Sequence, residues 1–367
     1  MTTTDVLIVG QGLAGSTLAW QLAALGVRCV VVDRGGVDHA GMPTASRVAA
    51  GLITPVTGGR LAIAADWDAL WRSAEALYRR IQRETGARLL HTRPALRVLA
   101  SPAERRKFEE RQRFAERLAR PPGAGPSFAR HARPATTDEL PAGLRAEHGA
   151  FWMPHAARLD VAGLVDATRA WLEADGRYRR AEVDPETDFQ FSPAGVAVPR
   201  LGLSAACVVF CQGYTPTPPR WLTHLRFTPA KGELLTVVPT GATPRQVTHR
   251  GVWLAPEADA PGRPHACLVG ATFAWDRLDG TPTAAAREEL LAKAAPLLGA
   301  TPRVIDHRAA VRPAMAGRRP TLGFATGEPR VAWLNGLGTK GALWAPWHAG
   351  QLAQQLAGRL SAAGSGC

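Results

Sequence analysis

Strand, glycine loop, helix, strand and acid follow one another within the first 33 residues, and few folds accommodate that order. Asp5-Val6-Leu7-Ile8-Val9 is a short apolar run of the kind a buried parallel strand needs. Gly10-Gln11-Gly12-Leu13-Ala14-Gly15 comes at once after it, a complete G-x-G-x-x-G. Residues 16–25 are rich in Ala and Leu without a breaker, which predicts a helix that Gly26 ends. Residues 27–32 form a second apolar run closing on Asp33. The glycines divide the work: a tight turn, room for a pyrophosphate, and close helix–strand contact. The helix N-terminus offers free N–H groups and a partial positive charge to phosphates, and Asp33 stands where a carboxylate accepts ribose hydroxyls. A bare glycine motif carries little weight; a strand, loop, helix, strand and acid within about 30 residues carry much more. Gly10, Gly12, Leu13, Ala14, Gly15 and Asp33 are thus expected to hold a dinucleotide. Arg34, beside the acid and counted with the cofactor-binding residues, hints at an NADP phosphate, with a solvated cation as the plainer reading. The motif alone does not choose between NAD and FAD.

Length and composition set the frame. A chain of 367 residues with 46% hydrophobic content is long enough for two globular domains. It opens straight into a strand, so no signal peptide is expected, and no apolar run approaches a membrane span. The expected setting is soluble and cytoplasmic. The five cysteines are scattered, and Cys207 and Cys211 would stand about 13 Å apart on a strand, beyond disulfide reach. No disulfide framework and no metal cluster is indicated. The net charge of +13 raises nucleic acid as a partner. Only Lys107, Lys231, Lys293 and Lys340 are lysines, however, and the remaining positive charge is Arg in an Ala/Arg/Pro-rich chain. Such a bias has background composition as its plain alternative.

Along the chain, residues 35–55 form a long connection rich in small residues, which let backbone approach a flat ligand. Trp67, Leu70, Trp71, Ala74, Leu77, Tyr78 and Ile81 then recur at helical spacing and predict a core-facing helix over 66–83. Residues 89–99 look strand-like, and 104–120 read as a mixed-charge, ion-paired surface helix. Residues 121–134 read as a loop. A helix is expected over 161–174 and an apolar strand over 204–210, ending in Cys211-Gln212-Gly213. From 227 to 272 strands succeed one another without intervening helices, the pattern of an antiparallel sheet. A helix over 283–298 and a strand opening at Val304 come next.

The strand 331–335 runs into Gly336-Leu337-Gly338-Thr339-Lys340-Gly341, a second G-x-G-x-x-G, and a helix is expected over 342–360. Only 26 residues come after Gly341, with no further strand ending in an acid, so a second complete βαβ unit is ruled out. The second loop is therefore aimed by a helix N-terminus at something other than a second nucleotide. Positive potential there suits a developing anion on a flavin ring.

In these motifs the chain resembles the FAD-dependent oxidoreductases of the D-amino-acid oxidase and glycine oxidase superfamily over nearly its whole length. The resemblance rests on the N-terminal fingerprint, Ala45-Ser46, Ala50-Gly51-Leu52-Ile53, Cys211-Gln212-Gly213 and Lys231-Gly232-Glu233. It continues through 268–272, Val311-Arg312-Pro313, 320–323 and the closing glycine loop. It implies an α/β chain in which a Rossmann-like FAD-binding domain (1–60, 145–225, 316–367) is interrupted by an α+β, antiparallel-sheet substrate domain (61–144, 226–315). It implies FAD contacts at Ser46, Ala50, Gly51, Leu52, Gln212 and Gly213, with the backbone near Val183 at the adenine. Gly336, Gly338, Thr339, Lys340 and Gly341 would address the flavin. Arg312 matches the residue that fixes a substrate carboxylate through a bidentate ion pair. Lys231 and Lys340 are further candidates, for oxygen activation or substrate contact. Leu337 stands where many relatives have His, and no cysteine lies between Arg312 and Met315 for a covalent flavin link, so FAD is expected to be non-covalent.

The implied activity is oxidation of the C–N bond of an amino acid or carboxylate-bearing secondary amine. Hydride leaves to flavin N5 and the imine hydrolyses. Residues 51–58 and 338–346 are also similar to a subgroup that includes the FAD domain of the tRNA 5-methylaminomethyl-2-thiouridine biosynthesis protein. That likeness offers, as an alternative, removal of a carboxymethyl group from a modified wobble uridine of tRNA. A nicotinamide-dependent enzyme or a nucleotide-sensing regulator is the remaining alternative.

Overall fold

The computed structural model describes residues 1–64, 66–117, 128–241, 244–257 and 265–364. Leu118 and Arg120 of the expected charged helix, residues 121–127 of the expected loop and Cys367 lie outside them. Two eight-stranded sheets carry the chain.

The first sheet is built on β1 (Thr2–Val9), which runs parallel to β2 (Cys29–Asp33) on one side and to Leu203–Phe210 on the other. Tyr178–Arg180 extends it beyond β2. The long strand Leu203–Phe210 serves two neighbours: Val208–Phe210 pairs with residues 331–333 in parallel, while 203–205 pairs with 196–198 in an antiparallel hairpin. Alternation sorts its side chains. Val6 and Ile8 face a core shared with Leu18, Leu22, Leu352 and Leu356, whereas Leu7 and Val9 face Val30, Val32, Phe189 and Phe210. Each fully buried Leu contributes roughly 1.5–3 kcal/mol, so a one-residue slip that exchanged the two faces would be strongly disfavoured. Helix α1 (Leu13–Ala24) and the C-terminal helix Gly341–Gly364 lie side by side on the first of these faces. The carboxyl ends of the strands gather Gly10, Asp33, Cys211 and Asn335 along one edge, which is where open parallel sheets bind ligands.

The second sheet runs in the order 303–312, 230–238, 267–270, 252–256, 248–250, 95–98, 150–153, 133–134. All its pairings are antiparallel except that of 248–250 with 95–98. Here too alternation divides the strand 230–238. Leu234 packs toward Val48, Val56 and Phe151, and Leu235 toward Leu290 and Ala294 of the helix Ala284–Leu298.

The aromatic helix is Trp67–Thr85, with Trp67, Leu70, Ala74, Leu77, Tyr78 and Ile81 buried as its periodicity predicts. Tyr78 Oη donates to Ala342 O at 2.7 Å, tying that helix to the start of the C-terminal one. Residues 89–99 are two strands, 90–92 and 95–98, because Pro94 supplies no N–H between them. The strands Gly195–Val198 and Thr321–Ala325 have too little alternation to be read from sequence. Cys29, Cys207, Cys211 and Cys267 are free and buried, and burial pushes their thiols up to about 11–12. They act as small apolar residues. Among the described residues no helix is long and apolar enough to cross a membrane, and no His/Cys/Asp/Glu cluster is shaped for a metal.

Candidate active site

A cavity of about 1270 Å³ lies between the carboxyl edge of the first sheet and the face of the second. That exceeds the roughly 300–1,000 Å³ of a pocket for one drug-sized ligand and leaves room for an elongated cofactor plus a small substrate. Its wall includes Gly10, Gly12, Leu13, Ala14, Asp33, Arg34, Ser46, Ala50, Gly51, Leu52, Val183, Gln212 and Gly213. At the other end stand Gly336, Gly338, Thr339, Lys340, Gly341 and Arg312. The structure thus brings both glycine loops and the arginine to one space. Two expected residues stand apart from it: Gly15 and Lys231.

Gly15 lies inside α1, where a Cβ would sit 1.9 Å from Gly10 O. Its task is to let the helix close on the strand. Gly10 has φ of 101° and a Cβ there would stand 2.6 Å from Cys211 O, so neither a side chain nor ordinary backbone geometry fits. Gly12 caps α1 without a side chain, and the amide of Leu13 is met by Ser46 Oγ at 2.9 Å. No acidic side chain occupies the first turn of α1, which keeps its positive end free for an anion.

Asp33, expected at a ribose, already has partners within the chain. Its carboxylate accepts from the amides of Gln11 (2.8 Å), Gly35 (2.7 Å) and Gly36 (2.9 Å). It braces the glycine loop and the turn after β2 together, and Arg169 Nη2 stands 3.8 Å away. Gln11 is buried and clamps the helix Val161–Ala174, donating to Val165 O at 2.7 Å and accepting from Arg169 Nε at 3.0 Å. Arg34 pairs with Glu182 at 3.1 Å, beside Val183.

At the opposite end Asn335 is the organising residue. Its amide donates to Gly213 O at 2.8 Å and its carbonyl oxygen accepts from Gly336 N at 2.7 Å. It thereby locks two positive-φ glycines, Gly213 and Gly336, to each other. Residues 338–340 form a single tight turn before the long helix starts at Gly341. A Cβ on Gly341 would lie 3.2 Å from the Leu13 side chain, so the second loop rests on the first helix. Lys340 is half-buried and burial lowers its pKa.

Arg312 ends the strand 303–312 and folds back over Gly232, where a Cβ would collide with the guanidinium at 1.9 Å. Its Nη2 donates to Thr272 O at 3.1 Å and Nη1 to Lys231 O at 3.3 Å. Phe273 lies 4.3 Å beneath it, ring centroid to Cζ. Among the described residues no carboxylate pairs with it. Burial pulls its pKa down to about 10, and it stays charged at neutral pH. A partly buried guanidinium without a counter-ion is costly, and the arrangement leaves Arg312 open to an anion on the cavity side.

Lys231 points the other way. The alternation that turns Gly232 and Leu234 to the cavity turns Lys231 away from it, and its ammonium is held by Asp279 Oδ1 at 2.6 Å and by Thr281 O. Glu233 is buried and holds Thr283, the residue that caps the helix Ala284–Leu298, by accepting from Thr283 N at 2.7 Å. His307 stands 3.0 Å from that carboxylate, and Arg308 pairs with Asp306 at 3.0 Å.

The charged helix Pro102–Arg117 is ion-paired as its spacing predicts, with Arg105 on Glu109 at 2.9 Å. Lys107 of this helix and Arg97 of the strand 95–98 also reach the cavity loop, a role the spacing did not signal. Lys107 Nζ donates to Gly59 O at 2.8 Å and Arg97, paired with Glu104, donates to Gly58 O at 3.1 Å.

Do these residues suit FAD? The glycine cradle at 10–15 leaves no Cβ in the way, two helix starts face the cavity, and Gln212 lines it with Oε1 buried and without a hydrogen-bond partner. A buried acceptor of that kind awaits a donor. The donor set fits a dinucleotide at one end and a polar ring edge at the other.

Comparison with known proteins agrees. A glycine oxidase from Pseudomonas aeruginosa is 27% identical, the match covering 96% of this chain and 95% of the relative. Among solved structures, glycine oxidase from Geobacillus kaustophilus superposes with a TM-score of 0.77 at 21% identity, covering 98% of this chain and 95% of that one. Iminodiacetate oxidase from Chelativorans sp. BNC1 gives 0.74 at 23%, covering 96% and 95%. At such identities the structures speak for the fold alone, which is that of glycine oxidase. The sequence profile of the DAO family, described as FAD dependent oxidoreductase, matches residues 5–355. FAD is thereby chosen over NAD, the choice the first motif leaves open, and the chain belongs to the FAD-dependent oxidoreductases of the DAO family.

Proposed function

We propose that this enzyme oxidises the C–N bond of an amino acid or secondary amine that carries a carboxylate. The observation that carries the reading is Arg312: half-buried, on the cavity wall, bonded only to carbonyl oxygens and unpaired with any carboxylate among the described residues. A guanidinium so placed presents a planar fork to a carboxylate, and the ion pair would restore the counter-ion that burial removed. The names of the relatives, glycine oxidase and iminodiacetate oxidase, are both those of enzymes acting on such amines.

Gly10, Gly12, Leu13, Ala14, Ser46 and Gln212 would hold the ADP half of FAD, and residues 336–341 the flavin half. Bound there non-covalently, FAD supplies the acceptor for the hydride of the carbon next to nitrogen. The chain's own contribution is positioning. Arg312 fixes one end of the substrate, Asn335 sets the loop that faces the other partner, and the amine needs to be neutral so that its lone pair forms the C=N bond as hydride leaves. Water then hydrolyses the imine.

Arg312→Lys tests the assignment. Lysine keeps the charge but loses the fork. The half-saturating concentration of sarcosine for anaerobic flavin reduction should rise at least tenfold, with little change in its level of reduction at saturation. Unchanged half-saturation would remove Arg312 from the substrate. Carboxymethylaminomethyl-modified tRNA serves as the comparison substrate. Reduction by the tRNA alone, falling steeply with salt, would replace the small-amine reading.

A further inference from the structure

One stretch of the cavity wall is left apolar and uncovered. Residues 271–283 connect the strand Cys267–Gly270 to the helix Ala284–Leu298. Phe273 and Trp275 on it are 51% and 66% exposed, although their rings stack with centroids 6.1 Å apart at 23°. Two large rings in water gain little from folding, and paired exposure beside a binding cavity marks a contact surface. Both rings line the same cavity as Arg312, and Phe273 lies directly under its guanidinium.

The segment sorts its residues by polarity. Ala271, Phe273, Trp275 and Leu278 line the cavity, whereas Asp276, Arg277 and Asp279 do not. The floor opposite is kept low by Gly232, Gly270, Ala255 and Ala310. The segment is also firmly held. Lys231 and Ala274 exchange backbone hydrogen bonds at 2.8 and 3.0 Å. The buried Lys231 ammonium grips Asp279 and Thr281 O, and a Cβ on Gly280 would meet Met42 Cβ at 2.6 Å. Lys231 therefore anchors the aromatic pair beside Arg312.

From this we infer that residues 271–283 form a specificity rim in which Phe273 and Trp275 receive an aromatic or bulky apolar substituent of the substrate whose carboxylate is held at Arg312. The inference rests on the function proposed above and narrows its substrate class: larger aryl- or alkyl-bearing amino carboxylates are preferred to glycine itself.

Binding and turnover test it separately. Titration of the holoenzyme with phenylacetate and acetate, followed by the perturbation of flavin absorbance, should show phenylacetate binding at least tenfold more tightly. Trp275→Ala, at an exposed position that the fold does not depend on, should erase most of that preference while acetate affinity stays within twofold. Trp275→Phe should restore it. Equal affinities in the unaltered enzyme, or a loss in Trp275→Ala that is the same for both ligands, would overturn the rim. Anaerobic reduction by N-benzylglycine and sarcosine then separates the two claims. If neither amine reduces the flavin while the phenylacetate preference persists, the C–N reading falls and the rim stands. If both reduce it with the same half-saturation and phenylacetate shows no advantage, the rim falls and the C–N reading stands.

Discussion

The two glycine loops have the same spelling and different mechanics. In residues 10–15 the helix begins inside the motif at Leu13, and the third glycine presses against Gly10 O of its own loop. In residues 336–341 a tight turn intervenes, the long helix begins only at the last glycine, and that glycine rests on Leu13 of the other loop. The first loop is a self-contained grip braced by Asp33. The second is a dependent one, held by Asn335 and by the first helix. A motif's meaning therefore lies in the atoms its last glycine touches and in whether its helix leads on to another strand.

The severest challenge to this contrast is to place the same methyl group on both third glycines. Gly15→Ala drives a Cβ to 1.9 Å from backbone oxygen. It is expected to cost about 3 kcal/mol or more and to abolish FAD retention through purification. Gly341→Ala meets the movable end of Leu13 at 3.2 Å and the Leu337 side chain at 3.4 Å, and no backbone atom within 4 Å is among its nearest neighbours. At a helix start, where Ala is favoured over Gly by up to about 1 kcal/mol, it should change stability by less than about 1 kcal/mol. Equal losses in the two variants, measured by denaturant unfolding, would erase the distinction.

Asn335→Ala comes next. It strips the partners of Gly213 O and Gly336 N and should cost about 1–3 kcal/mol, read as a lower Tm of the holoenzyme and weaker FAD binding. A variant that binds FAD normally would show that the second loop holds its shape without Asn335.

The smallest effect expected concerns Lys340, which has no cationic counterpart in the first loop. Burial lowers its folded pKa below the ordinary 10.5, so between those two values the unfolded chain binds more protons and stability rises with pH. The penalty is present in full at neutral pH and is relieved as pH rises toward 10.5. Lys340→Met should flatten the Tm–pH slope in that window. An unchanged slope would assign it to other groups.

Much of this was legible in the sequence because it resides in local chemistry. The first βαβ unit, the aromatic face of Trp67–Thr85 and the second loop's incompleteness are patterns of spacing, and spacing is what a sequence displays. Arg312 was reached through family resemblance, and the structure adds why it is poised: Gly232 makes room and, among the described residues, no acid answers it. The hidden features depend on neighbours far apart in the chain. Lys231 looked like a candidate for chemistry, yet strand alternation carries its ammonium to Asp279, 48 positions away. Asn335 sat immediately before a glycine loop without showing that it would join Gly213, 122 positions earlier. Nor does any local signal mark Arg169 as the partner of Gln11. Such side chains act through tertiary pairing, and only the adjacency of a polar residue to a glycine loop hinted at one of them.

In the proposed reaction Arg312 reads a carboxylate on the substrate while the carbon next to nitrogen is oxidised. Anaerobic mixing of the holoenzyme with N-benzylglycine and with its primary amide tests both halves at once. The visible flavin absorption should be lost with the carboxylate, and half-saturation with the amide should be at least a hundredfold higher. Equal reduction by the two compounds, or by neither, would contradict that reaction.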